Sequence, residues 1–382
     1  MAVGEMQKLD IARAEDPLAG AQVEKLTGDE GNAWMPYFNQ ALFDEQGRLI
    51  VHSDRGGDVQ LYLLDVEQAT MRQLTAEPGG LRRHQSTILP SRGQAAYLAG
   101  RKLNLVDLES GRSEPLFEVV EGFEPGILSP TADGSSVTFV TIEALETVIQ
   151  AGLTTQYANF YEKLYRHPTS VIFRIDTTSG KPDAIWGERE WISHVIVSPT
   201  DPNVVVFCHE GPWDRVQRLW RVRADNGECR PLVAHGKLIS RTGHEYFNRW
   251  GEVVAQYSRR MTPRSKDWLH YNCVVDADGN EERFWRFPSH MPTHIQGSNS
   301  DRNLLVGDGC WTSESSTDGR SCLGLIRHGD SERCELTPLC RHDTSWKTQM
   351  SHPHPVFSPD DAWIYFNAER DGQNAVYRVR VP

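Results

Sequence analysis

Apolar residues in this chain come in short bursts of four to six, separated by turns rich in Pro, Asp, Asn and Gly. Gln60-Leu-Tyr-Leu-Leu-Asp65 is one burst and Met71-Arg-Gln-Leu-Thr75 is another. β-Branched and aromatic residues dominate them, and the turns interrupt before a helix could form. That pattern predicts strands and an all-β fold. The bursts follow one order: strand, turn, strand, loop, strand, a D-x-x-x-G-type turn, strand. The order recurs about every 45–50 residues, the period of a propeller blade. Copies lie at 40–75, 84–117, 126–186, 194–233, 244–285, 294–339 and 352–381. The last copy has only three strands. The missing one is at the other end, where Gln22-Val-Glu-Lys-Leu-Thr27 reads like Met71-Arg-Gln-Leu-Thr75. The expected architecture is therefore a single seven-bladed β-propeller domain over residues 1–382, closed by an N-terminal strand pairing into the last blade.

One stretch departs from the pattern. Residues 142–167 carry apolar positions at helical spacing: Leu145, Val148, Ile149 and Leu153, then Tyr157, Phe160, Tyr161 and Leu164. This predicts a short helical insertion between the second and third strands of the third blade. It is either a packing insert or a cap over the mouth.

Hydrophobic content of 38% with 31 Gly and 21 Pro suits many short strands joined by turns. There is no apolar run of about 18 residues, so no membrane span is expected. Met1 to Glu30 is polar and lacks an apolar signal-peptide core, and seven cysteines without a C-x-x-C fit free thiols in a reducing cytoplasm. The net charge of −12 argues against general nucleic-acid binding but leaves room for a local basic site.

The histidines change the picture. His194, His244, His294 and His354 each stand four residues before the turn that ends the innermost strand, in four successive blades. His352 is two residues earlier, and His84 holds the corresponding place in the second copy. Innermost strands line the channel, so these imidazoles are expected around one mouth. In an extended strand His352 and His354 would share a face. Gln349 would add a carbonyl oxygen from the preceding loop. His294, Gln349, His352 and His354 then read as a site for a divalent metal that keeps its full charge as a Lewis acid, with Mn, Fe, Ni and Zn all admissible. Hydrogen-bonded histidines pinning the blades together are the competing reading.

The loops between second and third strands open on the same mouth. They hold Arg55, Arg101, Lys102, Arg215, Arg218, Arg259, Arg260, Arg264 and Lys266, besides His209. Cations gathered on one rim of an acidic protein focus an anionic ligand, and guanidinium forks match carboxylates. There is no G-x-S-x-G, P-loop or placed G-x-G-x-x-G to point to other chemistry.

At these residues the sequence resembles the oligogalacturonate lyases of polysaccharide lyase family 22. The motifs that carry the likeness are Phe207-Cys-His-Glu-Gly-Pro212, Gly243-His-Glu245, Val306-Gly-Asp-Gly-Cys310, Thr344-Ser-Trp346 and Gln349 through Pro355. The resemblance implies a seven-bladed propeller holding Mn²⁺ on His294, His352, His354 and Gln349. It implies His244 as the base and Arg218 as the functional arginine, in a cytoplasmic enzyme acting on short, often unsaturated galacturonides. His209 and Arg215 are candidate substrate contacts. The sequence departs from the family pattern at Ala33-Trp-Met-Pro36, at 81–84 and at 261–267. The expected reaction is β-elimination. The rival readings are a lyase for another uronate-containing oligosaccharide and a non-catalytic TolB-like propeller that binds a protein partner.

Overall fold

The computed structural model describes residues 2–147, 159–234, 239–262, 264–288, 291–310, 322–370 and 372–382. Among these the strands form seven antiparallel sheets arranged as the blades of a propeller. The innermost strand is short in some blades, for example Ser86–Leu89 in blade 2 and Ile295–Gly297 in blade 6, but in blade 5 it runs the full length Ser240–Phe247. The two middle strands are largely buried on both faces, as at Leu49–Ser53. Their near-continuous apolar sequence follows from that burial, because each face packs on a neighbouring blade.

The core accordingly lies between blades. Ile50, Leu61 and Leu63 of blade 1 pack against Ile88, Ala95 and Tyr97 of blade 2. Val140 and Ile172 of blade 3 meet Ile192, Val205 and Phe207 of blade 4. Each such side chain, fully buried, contributes about 1.5–3 kcal/mol by leaving water. The D-x-x-x-G turns repeat one device. Asp107 Oδ1 accepts the Ser110 amide at 2.7 Å, and Gly111 takes φ +69°. Asp176, Ser179 and Gly180 reproduce this in the next blade.

Gln22–Lys25 pairs antiparallel with Gln373–Arg380, with Val23 opposite Val379 and Lys25 opposite Tyr377. The N-terminal strand therefore completes blade 7. Two further strands were not foreseen: Ala12–Glu15 extends blade 7 and Met6–Lys8 extends blade 1. In blade 3 the segment between Ser136–Glu143 and Ser170–Asp176 carries a helix at Phe160–Arg166. The helical expectation for 142–167 is corrected at its start, because Ile142 pairs with Ser170 in the sheet. Its positions 148–158 lie outside the described residues.

Blade 1 departs from the others in a way that matters for the site. Its innermost strand is only Ala33–Trp34, and the chain then leaves the sheet before the isolated bridge Phe43↔Leu49. The excursion puts Tyr37 and Phe38 on the propeller axis. The Tyr37 ring meets those of His194, His294 and His354, at 4.8 Å for the last. Phe38 reaches His244, His294 and His354. The two aromatic rings form an apolar floor beneath the histidines. The six described cysteines are free.

Candidate active site

The histidines of four blades converge above that floor. Ring nitrogens of His294, His352 and His354 lie within 4.8 Å of one another. The His294 ring is 4.3 Å from that of His354 and 4.5 Å from that of His244, centre to centre. The expectation that strand alternation aligns His352 with His354 is corrected. His352 ends the 3-10 turn Gln349–Ser351, and His354 has φ +46°. The strand of blade 7 begins only at Val356. A turn, not a pleat, brings these imidazoles together. Gln349 is the first residue of that 3-10 turn, and its carbonyl accepts the His352 amide at 3.3 Å.

Three observations bear on whether a cation fits. Both ring nitrogens of fully buried His354 and the Nδ1 of His352 lack hydrogen-bond partners. A buried polar atom left that way costs about 1–3 kcal/mol, so it calls for a ligand. Burial, reinforced by neighbouring imidazoles, pushes His294 and His354 well below the ordinary imidazole value, which keeps them in the neutral form that binds metal. His294 Nδ1 lies 2.7 Å from Asp308 Oδ2, and the His294 amide donates to Oδ1 at 2.7 Å. Burial raises the Asp308 carboxyl to about 6, opposed by the His294 amide bond and the neighbouring imidazoles. A carboxylate on Nδ1 leaves Nε2 free to ligate, the usual support for a metal-binding histidine. The residues fit a divalent cation.

The facing side is organised differently. His244 sits on the innermost strand of blade 5, at a register shift between Gly243 and Tyr246, with φ +47°. That conformation costs a β-carbon residue about 1–2 kcal/mol. Its Nδ1 is 3.0 Å from Gln256 Oε1. The Gln256 amide nitrogen donates to the Pro292 and Thr293 carbonyls. The amide is therefore fixed with oxygen toward the imidazole. His244 must donate from Nδ1, and its Nε2 carries a lone pair. Burial pushes this imidazole down to about 4, partly offset by the Gln256 bond, so it is neutral at ordinary pH.

Arg218 is buried, at 1% exposure, and is held by two carboxylates. Its Nε donates to Glu245 at 3.2 Å and its Nη1 to Glu210 at 3.1 Å. Glu245 also faces His194 Nδ1 at 2.9 Å. Burial alone would raise Glu245, but Arg218 and then His194 outweigh it and keep it ionised. Trp213 stands edge-on to His244 at 5.1 Å, with Arg218 at 5.4 Å over its ring. It reaches there because residue 243 is glycine: a β-carbon would come within 2.5 Å of the indole. His194, Cys208 and Glu245 form a second close cluster. Burial pushes the Cys208 thiol up and keeps it protonated, and Arg218 already engages Glu245, so that cluster offers a cation little.

The remaining expectations separate. Arg215 is exposed on the loop between the second and third strands of blade 4. His209 points away from Cys208 and Glu210, its neighbours on the strand. Its Nε2 is 2.7 Å from Glu188 and its ring lies against Trp220, so it is not among the residues gathered at the mouth. Nor do the rim cations form an even ring. Arg55 donates to Gln7 and to the Thr27 carbonyl, and Arg101 pairs with Glu118. Asp308, Gln256 and Glu245 were missed as partners. The signal for two of them was already in the motifs, as the Asp of Gly307-Asp-Gly309 and the Glu of His244-Glu245.

Fold and site together define a propeller with a histidine-lined mouth built to hold a divalent cation beside a neutral imidazole. The family described as oligogalacturonate lyase matches residues 1–382, and the chain belongs to it. It is 29% identical to the oligogalacturonate lyase of Dickeya dadantii, covering 100% of this chain and 99% of that one. It is 28% identical to the oligogalacturonide lyase of Pectobacterium atrosepticum, with the same coverage. Among solved structures, an oligogalacturonate lyase in complex with manganese superposes with TM-score 0.86 at 27% identity, covering 100% of this chain and 99% of that one. The oligogalacturonate lyase of Vibrio parahaemolyticus gives 0.86 at 25% identity, again over 100% and 99%.

Proposed function

We propose that this protein cleaves short oligogalacturonides by β-elimination, with Mn²⁺ held by His294, His352, His354 and Gln349. The observation that carries this reading is the pairing of partnerless imidazoles with a neutral base across one mouth. The family match and the manganese complex of a relative support the choice of substrate and metal.

The proton on C5 of a uronate is hard to remove because the product is a dianion. When bound, the cation supplies Lewis-acid stabilisation of that charge. His244 takes the proton on Nε2, the nitrogen that the Gln256 bond leaves bare. The C5–H electron pair forms the C4=C5 double bond, and the C4–O4 bond breaks. O4 leaves with the electron pair of the C4–O4 bond and takes up a proton from solvent, to which His244 returns the one it removed. No water is consumed. Arg218, fixed by Glu210 and Glu245, places a preset positive charge beside the developing enolate. Arg215 contacts the incoming sugar, and His209 braces the strand end through Glu188. The reading takes residues 1–382 as one domain. It places the enzyme in the cytoplasm, for which the free thiols argue. Among the described residues no helix is long and apolar enough to cross a membrane.

Mass spectrometry of the products from digalacturonate tests the reaction. An unsaturated uronate without added water, lost on chelation and restored by Mn²⁺, is expected. Products that have gained water would mean hydrolysis and overturn the mechanism.

A further inference from the structure

Two arginines at the mouth are left without carboxylates. Arg241 is the second residue of the innermost strand of blade 5, three residues before His244. Arg260 follows the second strand of that blade, and its amide donates to the Ile239 carbonyl. The two guanidinium carbons lie 4.3 and 4.4 Å from the ring centre of Trp268. Cation–π contact fixes where they are without neutralising them. Both Nε atoms are buried without hydrogen-bond partners. Among the described residues no carboxylate comes within 4 Å of either guanidinium, unlike Arg218, Arg221, Arg223 and Arg378. Burial lowers the Arg241 pKa; Asp214 opposes that shift and Arg260 adds to it. Like charges held this close to one another are favourable once an anion joins them.

We propose that Arg241 and Arg260, braced on Trp268, form a carboxylate subsite for a second uronate residue of the substrate. The proposal rests on the lyase reading above and deepens it. Three strand steps of about 3.3 Å put Arg241 roughly 10 Å along the strand from His244. A carboxylate gripped there is not the one beside the proton that His244 removes. It belongs to another sugar of the same oligosaccharide, and a galacturonide carries one carboxylate on every residue. The planar fork of each guanidinium suits that group.

The test uses the full-length Mn²⁺-loaded protein and digalacturonate, with R241Q, R260Q and the double variant. Each single change is expected to raise KM roughly tenfold, and the double roughly a hundredfold, as loss of one and two charge-assisted contacts would. The kcat stays within about threefold and the metal content is unchanged. Added salt should raise the KM of the wild type and leave that of the double variant nearly unmoved. An unchanged KM, or a fall in kcat at constant KM, overturns the subsite. If R241Q fails to fold, R260Q, in a loop, decides alone. If the wild type yields no unsaturated product, the lyase reading has failed separately. Calorimetric titration of digalacturonate then decides the subsite: binding by wild type but not by the R260Q protein sustains it, and equal binding or none overturns it.

Discussion

The two walls of the mouth are built on opposite plans. On the wall of blades 6 and 7, Asp308 holds His294, but both ring nitrogens of His354 and the Nδ1 of His352 are buried without hydrogen-bond partners. On the wall of blades 4 and 5, partners are assigned: Gln256 to His244, Glu245 to His194, and Glu210 with Glu245 to Arg218. The first wall is incomplete and awaits a ligand. The second is preorganised and awaits only a reaction. A bound metal adds its own order, whereas a base and a cation must be aimed in advance by their neighbours.

His354→Ala attacks the incomplete wall directly and carries the largest expected effect. Manganese content, read by atomic emission, should fall well below one per chain. Turnover should drop by roughly 10³-fold or more, several kcal/mol of lost charge stabilisation. Normal activity without metal would erase the distinction between the walls. On the preorganised wall, His244→Ala should cost roughly 10²–10⁴-fold in kcat with manganese retained. With manganese saturating, the acid limb of kcat that belongs to His244 should come as pH falls through about 4, because the base is neutral above its lowered pKa. Protonation of Asp308 near 6 should show separately, as weaker manganese binding. An acid limb near 6.5 with manganese still bound would mean that His244 is not the titrating group.

Asp308→Asn sharpens the comparison from within the metal wall, on the second strand of blade 6. It keeps the shape but weakens the acceptor on His294 Nδ1, and metal affinity should fall about 10–100-fold. Equilibrium dialysis against Mn²⁺ measures it. The smallest effect is expected from Gly243→Ala. Its β-carbon displaces Trp213, which shifts His244 without touching metal or substrate. Loss of roughly tenfold, and at most about 10²-fold, in kcat is expected, with manganese content and melting temperature near wild type. Arg218 is a poorer probe, since removing it strands the buried carboxylate of Glu245 at about 3–5 kcal/mol, with part-buried Glu210 beside it.

The sequence carried the sevenfold order, the completing strand at Gln22–Lys25 and the register of His194, His244, His294 and His354. Those depend on period and turn chemistry, which repeat and so can be read locally. The route by which His352 and His354 meet was not legible. It depends on a left-handed residue, where strand alternation stops applying. Nor was the position of Tyr37 and Phe38, which belong to blade 1 in sequence and to the axis in space. Gln256 was hidden for a related reason. It is a strand residue whose role appears only when its opposite number is known, whereas Asp308 at least stood inside the Val306-Gly-Asp-Gly-Cys310 motif.

The Tyr37–Phe38 floor also governs traffic. With the axis filled by two rings beneath the histidines, the propeller is a cup and not a tube. A sugar chain cannot be threaded through it. Whatever enters by the mouth must leave by it, so the depth of the cup, and not a through-channel, sets how much of a sugar chain the site can engage at once.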